Sequence, residues 1–342
     1  MAAVGCRSRI GSQGGIMDLV FAGTPDCAVP VLAALLDSHH RVRLVITQPD
    51  RAAGRGRRNV APPVKSLALT RGVPVLQPED IGCDEVAVRL KEAAPEAIVV
   101  VAYGQKLPGD ILQIPTLGCF NIHFSLLPRH RGAAPVQHAI LCGDSETGVT
   151  IQRMEEQIDT GRIIAQRKVK IEEDETAGRL TERLAALAAE MIVPTLDAVA
   201  EGRAVERPQD PALVTFAPRL RKSDGWVPWH MTAEEVHRFI RAMTPWPGAF
   251  TIHSPLTRGP KRRLVVLASR VGPERRRVAR DVEPGAGRPG RVVMADPDLV
   301  VATGSGLLTI LRVKPEGGRE MDAAAFLRGH PVHVGDWFVG PT

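Results

Sequence analysis

An amide and an imidazole stand two residues apart in the run NIHFSLLPRHRGAAP, Asn121 to Pro135. Apolar residues surround them, and Pro, Arg and Gly follow. On a β-strand, positions i and i+2 leave the same face, so Asn121 and His123 project together. The amide is an N–H donor, and the imidazole can pass a proton. A donor beside a base suits attack on an acyl carbon, where an oxyanion develops and a proton must move. No Ser, Cys or metal-ligand set lies beside the pair, so direct transfer to an external nucleophile is simpler than a covalent enzyme intermediate. A carboxylate follows 36 residues after His123: Asp159, in EEQIDTGRII, falls in a turn just past a strand. A carboxylate there can orient the imidazole, although spacing alone favours a residue that merely caps the turn before Gly161.

The elements around the pair read as a parallel sheet. Asp18–Ala22 is a short apolar strand, CAVPVLAALLDS a helix with Asp26 near its start, and VRLVITQ a second strand. That βαβ unit has only Gly23 in its first turn, so it lacks the GxGxxG of a dinucleotide site. EAIVVVAYG is apolar and β-branched enough to be buried on both faces, and GCFNIHF is the strand that carries the pair. In open parallel sheets, ligands bind outside the carboxyl ends of the strands, where Ser125–Pro128 makes an abrupt exit. The segment PDRAAGRGRRNVAPP holds too much Gly and Pro for regular structure and reads as a long functional loop. TGVTIQRM and GRIIAQRKVKI are strands, and a long helix runs from Thr176 to about Ala200. Residues 203–222 have little periodicity and read as a linker. TAEEVHRFIRAM is a helix with a capping box from Thr232 to Glu235, and the short, closely spaced strands beyond it read as a small barrel.

The bulk properties fit this division. The chain has 342 residues, enough for two domains, with 44% hydrophobic and 24% charged residues. No apolar run approaches the length of a membrane span. Five cysteines with no CxxC pair fit neither a disulfide framework nor a zinc site, and point to a reducing cytoplasm. Residues 1–16 read as a disordered extension upstream of an alternative start at Met17. Net charge is +6, yet residues 258–280 alone carry +8, which points to a polyanion partner for the C-terminal third.

Taken in order, FAGTPD, TQPDRAAGRGRR, VVVAYGQKLP, NIHFSLLPRHRGAAPVQHAI, GDSETGVTIQRME, IDTGRI and PWPGAF closely resemble the methionyl-tRNA formyltransferase family, from about Asp18 to near the C-terminus. The N-I-H-x-S-L-L-P block with a downstream D-T-G is specific to formyltransferases that use 10-formyltetrahydrofolate, and the Arg-Gly loop, RGAAP and the C-terminal domain narrow this to the tRNA member. The resemblance implies an α/β fold: a Rossmann-like formyltransferase domain with a mostly parallel sheet over 17–202, a linker over 203–222, and an OB-like β-barrel over 223–342 that contacts tRNA. It implies Asn121, His123 and Asp159 as the catalytic trio. Ser125, Leu126, Leu127 and Pro128 border the folate, and Tyr103, Gly104, Leu107 and Pro108 help hold its pterin end. Arg51, Arg55, Arg57 and Arg58 reach the end of the acceptor stem. The expected co-substrate is 10-formyltetrahydrofolate without a metal, the partner initiator methionyl-tRNA, and the state a cytoplasmic monomer away from membranes.

Three positions depart from the family pattern: Phe124 replaces a small residue or proline, Cys27 an aromatic, and Thr244 an asparagine. Two rival readings share parts of this evidence. A formyltransferase acting on an amino sugar nucleotide needs the same trio but neither the Arg-Gly loop nor the basic barrel. A nucleic-acid-binding protein with a vestigial pocket does not need the intact trio.

Overall fold

The computed structural model describes residues 15–53, 58–256, 259–272 and 288–340. Among these, the chain divides into two compact units. One gathers the described residues up to Pro128 with Val149–Arg167 and Arg183–Val214; the other gathers Arg129–Gly148, Lys168–Glu182 and the described residues from Thr215 onward. None of the described helices is long and apolar enough to cross a membrane.

The first unit is built on β1 (Asp18–Gly23), α1 (Val29–Leu36), β2 (Arg41–Ile46), β3 (Arg51–Ala53), β4 (Arg58–Val60), α2 (Pro63–Thr70), β5 (Val75–Leu76), α3 (Asp84–Ala93), β6 (Ala97–Val101), α4 (Gly109–Leu112) and β7 (Gly118–His123). After α5 (Pro135–Leu141), which belongs to the second unit, come β8 (Glu146–Arg153), β9 (Ile163–Lys170) and α6 (Ala177–Ala200). The sheet order is β5-β2-β1-β6-β7-β8-β9. Every pairing from β5 to β7 is parallel, and β8 returns antiparallel to β7. All of β6 and nearly all of β1 are buried, as expected of central strands covered on both faces. Strand order reverses between β1 and β6, which opens a crevice at their carboxyl ends. Thr24 Oγ1 donates to the Tyr103 carbonyl oxygen across it at 2.9 Å. On α6, Leu180, Leu184, Ala188, Ile192 and Leu196 form a fully buried stripe at helical spacing.

The segment read as irregular after Gln48 is instead a short antiparallel hairpin, with Arg51 opposite Val60 and Ala53 opposite Arg58. Its base supplies what glycine-rich composition hides. Lys65 Nζ bonds Asp50 at 2.7 and 2.8 Å, and Gln77 Nε2 donates to the Gln48 carbonyl and to Asp50 Oδ1 at 2.8 and 2.7 Å.

The second unit carries α7 (Ala233–Met243), β10 (Ala249–Ser254), β11 (Arg262–Val271), β12 (Val292–Ala295), β13 (Leu299–Ala302), β14 (Leu307–Pro315), β15 (Met321–Asp322), α8 (Ala323–Gly329) and β16 (Trp337–Val339). Its sheet is antiparallel in the order β12-β13-β14-β11-β10-β16, with β15 on β14. Arg291 bridges Trp337, and Val292 N–H donates to the Asp336 carbonyl oxygen at 2.8 Å, so the sheet curls into a nearly closed barrel. Val227, Trp229, Val236, Ile240, Val266, Leu308 and Phe338 fill its interior. The capping box of α7 forms as its sequence requires: Thr232 Oγ1 accepts from the Glu235 N–H, and Glu235 Oε2 accepts from the Thr232 N–H.

Candidate active site

β7 places Asn121 and His123 on one face, and β8 faces them with Gln152 opposite Asn121 and Thr150 opposite His123. The chain then turns at Asp159, whose φ of 56° is left-handed, and closes at Gly161. A Cβ on Gly161 would lie 1.7 Å from the Arg153 carbonyl oxygen, so only glycine lets the turn close against β8. The result brings the three predicted groups together. Asn121 Nδ2 donates to Asp159 Oδ1 at 3.2 Å, and His123 Nδ1 lies 3.6 Å from the same oxygen. That second distance is too long for a hydrogen bond. The side chains of His123 and Asp159 are 6% and 7% exposed, so they interact with little solvent screening.

Two further amides complete the cluster, and sequence reasoning passed over both. Gln152 Nε2 donates to Asp159 Oδ1 at 2.9 Å. Gln209 Nε2 reaches the Asp159 and Gly161 carbonyl oxygens at 2.9 and 2.8 Å, and Gln152 Oε1 at 3.2 Å. Gln152 faces Asn121 across the ladder, which strand alternation in TGVTIQRM could have flagged. Gln209 sits in the segment read as a linker and carries no local signal.

The folate-bordering candidates fall just past the pair. Ser125, Leu127 and Pro128 are buried and Leu126 is partly exposed. Their exit from β7 is pinned through one hydroxyl. Thr150 Oγ1 donates to the Ser125 carbonyl at 2.6 Å, and accepts from Leu127 N–H at 3.1 Å and Gln166 Nε2 at 2.9 Å. In the Tyr103–Pro108 loop, the Tyr103 and Leu107 side chains are buried in the core below the sheet end. Burial pushes the Tyr103 phenol up to about 12. These two residues can therefore meet a ligand only through backbone groups, while Gly104, at φ 98°, lies in the exposed part of the loop. Among the arginines, Arg51 is exposed and donates to Gln48 Oε1 at 3.4 Å. Arg58 opens β4, its backbone opposite Ala53, and Arg55 and Arg57 lie outside the described residues. Much of the basic 258–280 stretch, including Arg258, Arg275, Arg276, Arg277 and Arg280, also lies outside them, as do residues 1–14 of the proposed extension. Phe124 is buried, and the partly buried Cys27 thiol is pushed up to about 11 by burial. Thr244 Oγ1 bonds back to the Ile240 carbonyl at the end of α7.

Residues 17–196 match the family described as Formyl transferase, and residues 219–331 its Formyl transferase, C-terminal domain. The N-formyltransferase from Helicobacter canadensis, solved with folinic acid and dTDP-3-aminofucose, superposes with a TM-score of 0.60 at 18% identity, covering 86% of this chain and 99% of that one. At that identity the likeness speaks for the fold. The fold and the two matched regions define a formyl transferase. The methionyl-tRNA formyltransferase of Moorella thermoacetica is 44% identical over 94% of this chain and 98% of its own length. That of Myxococcus xanthus is 45% identical over 93% and 96%. The chain belongs to the methionyl-tRNA formyltransferase family.

Proposed function

We propose that the protein transfers the formyl group of 10-formyltetrahydrofolate to the α-amino group of methionine esterified to initiator tRNA, for translation initiation. The observation that carries this reading is the convergence of Asn121, His123 and Asp159 at the carboxyl end of β7, in a chain that aligns over almost its whole length with relatives named for this activity. The amine nitrogen attacks the formyl carbon, and the carbonyl oxygen takes up negative charge. Asn121 has two amide hydrogens; one goes to Asp159, and the second is free to meet that oxygen. His123, turned with Nδ1 toward Asp159, presents Nε2 to accept the amine proton and return it to the folate nitrogen as the C–N bond breaks. Tetrahydrofolate and formyl-methionyl-tRNA leave. In this reading the folate lies between the SLLP exit and the backbone of the Tyr103–Pro108 loop. The relative solved with folinic acid supports a folate co-substrate on the same fold.

Incubating the protein with 10-formyltetrahydrofolate and methionyl initiator tRNA tests the reading, with formyl-methionine as readout. Asn121→Ala should lose about 10²–10³ in kcat while tRNA affinity is nearly kept. Near-full turnover by that variant overturns the role of Asn121. Formylation of an amino sugar nucleotide in preference to the charged tRNA overturns the substrate.

A further inference from the structure

Asp159 is an unusual place to anchor a carboxylate. Its backbone is left-handed, with a φ of 56°, a conformation that is uncommon outside glycine and needs support from its surroundings. The surroundings here include Gln209. Its side-chain nitrogen points between the carbonyl oxygens of Asp159 and Gly161, the two ends of the turn, at 2.9 and 2.8 Å. The same nitrogen is 3.2 Å from Gln152 Oε1.

That last contact, shared with a carbonyl because the nitrogen carries two hydrogens, adds to the Asp159 carboxylate in fixing which way the Gln152 amide faces. A glutamine amide can offer either its oxygen or its N–H groups to a neighbour. Gln152 is 2% exposed, so water does not choose for it. With an N–H donor of Gln209 at its oxygen, Gln152 turns Nε2 toward Asp159 Oδ1, where it donates at 2.9 Å. The reverse orientation would set an amide oxygen against a carboxylate oxygen in a dry site, which is repulsive and leaves a buried donor unpaired. Gln209 thus acts on Asp159 twice, through the main chain of its turn and through the amide that bonds its carboxylate.

We propose that Gln209 is a positioning residue for formyl transfer, holding the Asp159 carboxylate where it meets Asn121 and His123. The inference rests on the catalytic roles given above for those three groups. Asp159 Oδ1 collects Asn121, Gln152 and His123 at one point, so a rotation of the carboxylate disturbs all three at once. The chain ends this support outside the sheet: Glu206 binds the Arg153 guanidinium, and Arg207 pairs with Ile163 across the base of the turn. The segment after α6 is therefore tied to both strands that flank Asp159.

Gln209→Met keeps length and removes the donors. Its kcat should fall by about ten- to a hundredfold, the cost of a small misplacement at the reacting groups. KM for folate and for charged tRNA should stay within about twofold, because no group that binds either is lost. The ¹⁵N signals of the His123 ring should lose a single dominant tautomer. Gln209→Lys, which restores an N–H donor at similar reach, should recover most of the rate. A Gln209→Met enzyme with parental kcat overturns the proposal, and so does a rate loss with an unchanged His123 ring pattern, which would mark Gln209 as structural only. If Gln209→Met does not fold, Gln209→Ser, which leaves room for water at the carbonyls, is read by the same two criteria. His123→Ala and Asp159→Asn run alongside. If they stay active, the site reading fails; if they are inactive while Gln209→Met is not, only the inference fails.

Discussion

The turn at Asp159 and the hairpin at Arg51–Val60 both interrupt the first unit near its functional edge, and they are built on opposite plans. Asp159 is nearly dry and is held by amides from β7, β8 and the segment after α6. The hairpin is exposed along Arg51, Ala52, Asn59 and Val60, and among the described residues it is anchored at its base by Asp50, Lys65 and Gln77. The difference fits the roles proposed for the two regions. A proton and an oxyanion must be met within a few tenths of an ångström, so the groups that meet them are preorganised and stripped of water. A polyanion is met by reach and charge, which exposure favours and a rigid frame would limit.

The comparison can be broken by asking each region to fail as the other does. Asp159→Asn removes the charge while keeping the shape, and it should cost the most, about 10²–10⁴ in kcat with little change in tRNA affinity, as in other sites where a carboxylate orients an imidazole. Single-turnover formylation at saturating substrates measures it; a weakened tRNA complex with intact chemistry would merge the two regions into one function. Arg51→Ala should do the reverse. We expect weaker tRNA binding and a salt dependence shallower by about 0.7–0.9 in log–log slope if one phosphate contact is lost, with folate binding and saturated kcat unchanged. Titrating affinity against salt for both substrates decides this, and an equal effect on folate contradicts it.

The smallest effect belongs to the hairpin base. Burial opposes ionisation only weakly there. Hydrogen bonds from Lys65 and Gln77 hold the Asp50 carboxyl below the usual carboxylate range. A depressed carboxylate gives stability that is fully present above the unfolded value, about 3.9, and fades as pH falls through the lower folded value. An NMR titration of the Asp50 carboxyl carbon should show a midpoint below that of a free aspartate, with the β3–β4 cross-strand contacts weakening only below it. Loss of those contacts nearer neutral pH would mean that something other than Asp50 holds the hairpin.

How far the sequence could be read differed between these regions for physical reasons. The strand carrying Asn121 and His123 was legible because a short apolar run, GCFNIHF, lies between a glycine and the Ser125–Pro128 break. The capping box at Thr232 and the long helix ending at Ala200 were legible for the same local reason. The hairpin was hidden because Gly and Pro in the segment argued against regular structure, while the bonds at its base come from Lys65 and Gln77 beyond it. Asp159 looked like a turn residue, and it is one; its second role depends on Asn121 and Gln152 arriving from other strands. Tyr103 and Leu107 were read as helping to hold the pterin end of the folate; that their side chains lie in the core was set by tertiary packing.

What the residues determined unaided is local and periodic: which stretches are strands or helices, that one strand holds an amide and an imidazole on one face, and that basic charge gathers late in the chain. Tertiary structure alone decided that Asp159 Oδ1 would be the point where Asn121, Gln152 and His123 meet, and that Gln209 would stand behind it. The physical reason is that a strand's pattern is set by its nearest neighbours in sequence. A hydrogen bond across 38 residues, as between Asn121 and Asp159, exists only once the sheet has placed both ends.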